Sequence, residues 1–170
     1  VEVLKGPASI LFGRIDPGGL VNLATKRPLD TPYYSVQQQF GSYDLFRTTV
    51  DATGPLLADK SLLYRMNIAY KDNDTFRDFA HQEHVFVAPS LTWRPNDRFE
   101  TNLDIEYQHD TWVEDGSDSG IPAIGNRPAN LPINRYLGDA VFNRQNPNTQ
   151  DKVLLGFDWS YQFTQDWKLK

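Results

Sequence analysis

The chain has 170 residues, which by length alone suggests one domain. Its net charge of −5 with no dense basic run argues against a nucleic-acid partner, and the absence of cysteine excludes a disulfide framework or thiolate metal site. Mean hydropathy is −0.55, and no apolar run approaches the ~20 residues that a membrane helix needs.

The first stretch, Val1 to Pro28, reads as short strands between forced turns. Val1, Val3 and Leu4 are apolar around Glu2, and Gly6-Pro7 breaks the run. Ile10-Leu11-Phe12 is a second apolar run, ended by Gly13. Asp16-Pro17-Gly18-Gly19 is turn chemistry, since proline presets one φ and glycine admits positive φ. Leu20, Val21 and Leu23 then predict a third strand, closed by Lys26-Arg27-Pro28. Leu29 to Pro32 is a short linker.

From Tyr33 on, the pattern has a period of two. Tyr34, Val36 and Phe40 share one face of a strand with Gln38 as a polar exception, and Gly41-Ser42 turns the chain. Leu45 to Thr53 returns with Phe46, Thr48, Val50 and Ala52 on one side. Ser61 to Lys71 is the clearest strand: Leu62, Tyr64, Met66, Ile68 and Tyr70 alternate with more polar neighbours, and a helix would scatter both sets around its circumference. Asp72 to Gln82 is expected to be a polar loop. Val85 to Trp93 is strand-like, although Pro89 cannot donate to a ladder, so it marks a bulge or a shifted register. Arg94 to Asp97 is a turn. Phe99 to Gln108 sets Phe99, Thr101, Leu103, Ile105 and Tyr107 against a face holding Glu100, Asp104 and Glu106. A polar lumen or open water allows those carboxylates; a dry core does not. Thr111 to Gln150 is long, irregular and rich in Gly, Pro, Asn and Asp, and loops of this length are usually functional or disordered. Val153 to Phe163 is another strand, and Trp167 begins one more.

No catalytic constellation emerges. His81, His84 and His109 lack a completing ligand set, so surface or strand-end roles are expected for them. Ser9 and Ser119 have no nearby base pattern, and Gly18-Gly19 lacks a phosphate-loop lysine.

The order of the blocks carries further information. GPASILFG followed by PGGLVNLATKRP resembles the C-terminal part of the plug domain of TonB-dependent outer-membrane receptors, ferric-siderophore receptors above all. FGSYDLFRTTVDATGPL, Phe40 to Leu56, resembles the first barrel hairpin of that family, and the likeness continues more loosely to the end of the chain. It implies an all-β fold: residues 1–28 as the end of a plug, 29–32 as a linker, and 33–170 as about six to seven strands of a large antiparallel transmembrane barrel. Low mean hydropathy suits such strands, which alternate apolar-out with polar-in, and the aromatic content of 13% suits interfacial girdles. The connections alternate between short and long, as expected of periplasmic turns and extracellular loops, with Gly41–Tyr43 the short exception. Barrels of this kind have ~22 strands. The missing initiator Met, and an end just inside a strand at Trp167, lead us to expect a fragment cut within the plug and within the barrel.

The resemblance further implies uptake of a ferric siderophore, coupling to the TonB protein through a segment absent here, contact with outer-membrane lipid, and no enzymatic step or resident cofactor. It places Glu2 and Lys5 at a plug–barrel interface, with Lys5 where the family usually has arginine, whose planar fork lysine lacks. GIPAIGNRP, Gly120 to Pro128, resembles an extracellular loop of siderophore receptors, which makes Trp112, Ile121, Arg135 and Tyr136 candidate ligand contacts. The alternatives are a receptor of the same fold for cobalamin or a sugar, and a soluble β-sandwich whose apolar strand faces pack on a second sheet.

Overall fold

The computed structural model describes residues 2–6, 18–22, 24–113 and 121–170. The segment holding Pro7 to Pro17, with the Ile10-Leu11-Phe12 run, and the start of the Gly120 block lie outside the described residues.

The N-terminal stretch pairs two strands, β1 (Glu2–Lys5) and β2 (Gly19–Asn22), antiparallel in the register Leu4↔Leu20. Gly19 is required there. Its φ is +136°, and a Cβ would sit 2.5 Å from the Leu4 carbonyl oxygen.

The remainder is dominated by one antiparallel sheet. Its strands are β3 (Tyr33–Gly41), β4 (Leu45–Pro55), β5 (Leu62–Asp74), β6 (His81–Asn96), β7 (Phe99–Trp112), β10 (Asn148–Gln162) and the short β11 (Lys168–Leu169). They lie in the order β11-β10-β7-β6-β5-β4-β3, so each long strand pairs with its neighbour in sequence. Between β7 and β10 the chain forms a small hairpin, β8 (Ala123–Ile124) with β9 (Arg127–Pro128), and a short helix α1 (Ala140–Gln145).

The alternation read from the sequence becomes a two-faced wall. One rung of cross-strand partners runs Val36, Val50, Ile68, Val87, Tyr107, Val153 over six strands. Another holds Tyr64, Leu91, Leu103 and Phe157. Nothing among the described residues covers this face: Val36 is 73% exposed and Phe157 is 74% exposed. Aromatic side chains mark its two ends, Phe40, Phe46 and Tyr70 at one and Trp93 and Phe99 at the other, meeting edge to face at 5.7–6.2 Å. Gln38, the polar exception, accepts from the Thr48 hydroxyl opposite it on the same face. The other face is polar, and its deepest members are Thr53, Leu63, Thr92 and Asn102. Leu63, Thr92, Asn102 and Asp158 form one rung, and Thr92 donates to Asn102, which donates on to Asp158.

Four expectations change. Asp72 to Gln82 is loop only in its middle: Asp72↔Glu83, Asn73↔Gln82 and Asp74↔His81 extend the β5–β6 ladder, which leaves 75–80 as the loop. Polar side chains do not end a ladder when both strands can still exchange backbone hydrogen bonds. Pro89 marks neither a bulge nor a slip. The register is the same at Val87↔Tyr107 and Ser90↔Asp104 on either side of it, and pairing with β7 merely lapses between them. The irregularity in this ladder lies between Trp93 and Asn96, where a turn was expected and β6 instead continues to Asn96. The long segment after β7 begins past Trp112 and is partly ordered by β8, β9 and α1.

Candidate functional site

The polar face carries the chemistry, and its residues fall into two groups at different heights on the wall. Near the β5 and β7 midpoints, the stretch after β2 lies across the sheet and is fixed by ion pairs. Lys26 Nζ lies 2.8 Å from Asp51 on β4. Arg27 places one nitrogen 3.1 Å from Asp104 on β7 and the other 2.6 Å from Asp158 on β10. Arg65 on β5 holds Asp51 through two nitrogens at 2.9 and 2.7 Å and donates to the Arg27 carbonyl at 2.9 Å. The backbone takes part as well. Leu29 N donates to Thr53 Oγ1 at 2.9 Å, and that hydroxyl donates to the Tyr64 carbonyl at 2.8 Å. Pro28 is buried, and Pro32 packs so close to Gly54 that a Cβ there would come within 3.2 Å of the Pro32 Cα. Asp104, one of three carboxylates assigned to a solvated face, is thus a clamp for Arg27, while Glu100 pairs with Arg94 at 2.6 Å.

Sequence reasoning did not single out Lys26 and Arg27, which read only as the end of a strand. Their partners lie 25 to 131 positions away, and no local pattern announces them. Lys5, expected at an interface, ends β1 exposed and makes no ion pair among the described residues. The Glu2 side chain lies outside the described residues.

At the other end of the wall the connections meet. The 75–80 loop packs against the segment before α1. Asp78 N donates to the Asn134 carbonyl at 2.9 Å, and the Asn134 amide reaches both Asp78 carboxylate oxygens at 3.0 Å. Phe79 meets Tyr136 edge to face at 6.3 Å, with the Arg144 guanidinium 5.9 Å over the Phe79 ring. The four candidate ligand contacts separate here. Tyr136 is 7% exposed and its hydroxyl accepts from Asn143 at 2.7 Å, so it forms the core of this loop cluster. Arg135 is exposed, and its carbonyl accepts from Arg77. Ile121 is 63% exposed beside the β8–β9 hairpin. Trp112 stands on the polar face at the end of β7, between Gln82 and Asn148, and lines a hollow of about 320 Å³ with Lys71, Asn73, His84 and Gln150. Each histidine meets an aspartate near the strand ends: His81 with Asp74, His84 with Asp110, and His109 with Asp151. No cluster of three or more His, Asp or Glu able to hold a metal occurs among the described residues.

No protein-family model matches the chain. It is 36% identical over 170 residues to the metal-pseudopaline receptor CntO of Pseudomonas aeruginosa, covering 100% of this chain and 23% of that protein. It is 28% identical over 165 residues to the ferrichrome outer membrane transporter/phage receptor of Escherichia coli, covering 95% of this chain and 22% of that one. The chain therefore spans about a quarter of the length of the curated relatives it matches. Among solved structures, FpvA of P. aeruginosa bound to a heterologous pyoverdine with iron superposes with a TM-score of 0.80 at 20% identity, over 98% of this chain and 22% of that one. The ferric preacinetobactin receptor BauA of Acinetobacter baumannii gives a TM-score of 0.73 at 23% identity, over 95% and 24%. These last two likenesses concern the fold.

Proposed function

The chain is homologous over its whole length to a segment of the TonB-dependent siderophore receptors of the bacterial outer membrane, and on that premise we propose that the protein containing it takes up a ferric siderophore across that membrane. The observation that carries the reading is the two-faced sheet. A wall with one uncovered apolar face, aromatic at both ends, and one polar face clamped to the preceding segment suits a barrel in lipid with a stopper inside. β5, with 13 residues, exceeds the ~9–11 that a tilted strand needs to cross a bilayer. A β-sandwich would need a second sheet over the Val36–Val153 rung, and none is present among the described residues.

On this reading, 1–28 belongs to the plug and 33–170 to the barrel wall. The loop cluster at Phe79 and Tyr136 lies on the extracellular side, where the chelate enters. The protein performs no covalent step. Noncovalent contacts recognise the chelate, and the inner-membrane partner TonB supplies the work that shifts the plug. The Lys26–Arg27 clamp sits where the plug joins the wall, so it serves as the fixed end of that movement.

The test is binding of the intact receptor, purified in detergent, to a panel of ferric hydroxamates, catecholates and citrate. We expect saturable binding of one class and poor growth of a deletion strain on that chelate as sole iron source. Binding of none, with normal growth of the deletion strain under iron starvation, overturns the proposal. A second reading is favoured by the name of one relative, a metal-pseudopaline receptor: the metal carried need not be iron. Running the same panel with zinc, nickel and cobalt chelates distinguishes the two.

A further inference from the structure

One rung of the polar face runs Gln39, Arg47, Lys71, His84, Asp110, Gln150 across six strands. Arg47 and Lys71 are direct cross-strand partners, and Lys71 faces His84 on its other side. Directly opposite side chains have Cβ atoms about 4.5–5.5 Å apart, and like charges so placed destabilise a sheet. The usual remedy is a carboxylate between them, and none is supplied. Arg47 donates to Gln39 Oε1 at 3.2 Å, and neither Arg47 nor Lys71 forms an ion pair among the described residues. Asp110, the one acid of the rung, is taken by His84 and Gln108.

The neighbouring rungs do not help. On one side stand Gln37, Thr49, Ala69, Phe86, Gln108 and Lys152; on the other, Asn73, Gln82, Trp112 and Asn148. Neither contains a carboxylate. The contrast with the clamp lower on the wall is direct, since Asp51, Asp104 and Asp158 there are all matched by Arg65, Lys26 and Arg27. The acids and bases of the clamp balance, whereas over these three polar-face rungs the cations Arg47, Lys71 and Lys152 outnumber the one carboxylate, Asp110. That surplus borders open space. Lys71 lines the 320 Å³ hollow with Trp112, His84 and Asp110, and Arg47 lines a second hollow of about 720 Å³ with Gln37 and Gln108, whose lining also includes the clamp carboxylates Asp51 and Asp104 and, with them, Glu106. Within the first, the buried Asn73 Oδ1 has no hydrogen-bond partner and can accept from a ligand hydroxyl or N–H.

We propose that Arg47 and Lys71 form an anion subsite on the barrel wall that engages the anionic oxygens of an incoming metal chelate. The guanidinium fork suits two oxygens of one carboxylate, and the ammonium suits a point contact beside it. This assignment rests on the receptor reading and selects, within it, a net anionic chelate over a neutral one.

The experiment titrates the intact receptor and its Arg47→Gln/Lys71→Gln variant with ferric citrate, a ferric tris-catecholate and an uncharged ferric trihydroxamate, with thermal unfolding recorded alongside. We expect the parent to bind an anionic chelate and the variant to bind it at least ~10-fold more weakly, as the loss of charge-assisted hydrogen bonds implies. Arg47→Lys should recover part of that loss. Equal binding by parent and variant overturns the subsite, as does a lowered melting temperature with unchanged affinity, which would mean that the two cations pair with the protein itself. A parent that binds only the uncharged chelate overturns the subsite and leaves the receptor reading standing. A parent that binds none of these three, nor the zinc, nickel and cobalt chelates of the wider panel, overturns both.

Discussion

Arg27 joins two strands that are neighbours in the sheet, with Nη1 3.1 Å from Asp104 on β7 and Nη2 2.6 Å from Asp158 on β10. Both the cation and Asp158 are about half exposed, so solvent screens each pair, and exposed pairs contribute only about 0.2–1 kcal/mol. The geometry adds something a lone pair lacks: one planar group serves two carboxylates at fixed separation. Arg27→Ala should lower the stability of the refolded intact protein by about 1 kcal/mol. Arg27→Lys should recover less than half of that, because an ammonium cannot reach both acids. Urea unfolding in micelles measures this, and full recovery by lysine would refute the bridging role.

Thr53 gives a sharper test of the same junction, because it is fully buried. Its hydroxyl accepts from Leu29 N and donates to the Tyr64 carbonyl. Thr53→Val keeps the shape and strands the Leu29 N–H, at a cost of about 1–3 kcal/mol. Thr53→Ser keeps both hydrogen bonds and should lose well under half as much. Equal losses in the same unfolding assay would mean that the methyl group, not the hydroxyl, matters.

Legibility in the sequence depends on distance along the chain. The wall is legible because its rule is local: Leu62, Tyr64, Met66, Ile68 and Tyr70 alternate within nine positions, and the β5–β6 register keeps that rhythm. Strand ends are less legible, since Asp72 to Asp74 look like loop residues and pair all the same. The clamp is invisible, since nothing near Arg27 announces Asp158 at a separation of 131. The packing of Tyr136 is hidden for the same reason: nothing near it announces Phe79, 57 positions upstream, which meets its ring.

The two faces should differ in their tolerance of charge. Ile68 stands in the apolar rung between Val50 and Val87, and Asn67 points to the polar face between Asp51 and Ala88. Ile68→Arg should impair folding into lipid by about 2–4 kcal/mol, the range for arginine at bilayer mid-depth. Asn67→Arg should have a much smaller effect. The fraction of protein reaching the heat-resistant folded form on a gel reads the difference, and equal yields would contradict the assignment of faces.

The loop cluster should open as a unit. Phe79 and Tyr136 hold the 75–80 loop to the segment before α1, with Asn134 and Asp78 fastened beside them. Aromatic pairs of this geometry add about 0.5–1.5 kcal/mol beyond their buried area. Phe79→Ala should therefore raise the rate of proteolytic cleavage within 121–147 several-fold, with no change in global unfolding. Cleavage that stays slow would show that α1 is held by contacts other than this pair.

Pro89 poses the remaining question, because a proline deep in a six-strand wall should cost something. The β6–β7 ladder lapses beside it while β5 stays in register, which leaves β7 without a donor at that level. In hydrocarbon an unmatched carbonyl is expensive, and restoring its hydrogen bond is worth about 0.5–1.5 kcal/mol even by the modest scale for water. Against this, replacing proline frees the unfolded chain and costs about 0.4–1 kcal/mol. Because the site is flanked by Met66 on the lipid side, the hydrogen-bond term should win. Pro89→Ala should thus stabilise the barrel slightly and slow amide exchange at residues 88–90. A loss of more than about 1 kcal/mol would show that the proline ring is itself packed into the wall, and that β7 already finds its donor elsewhere.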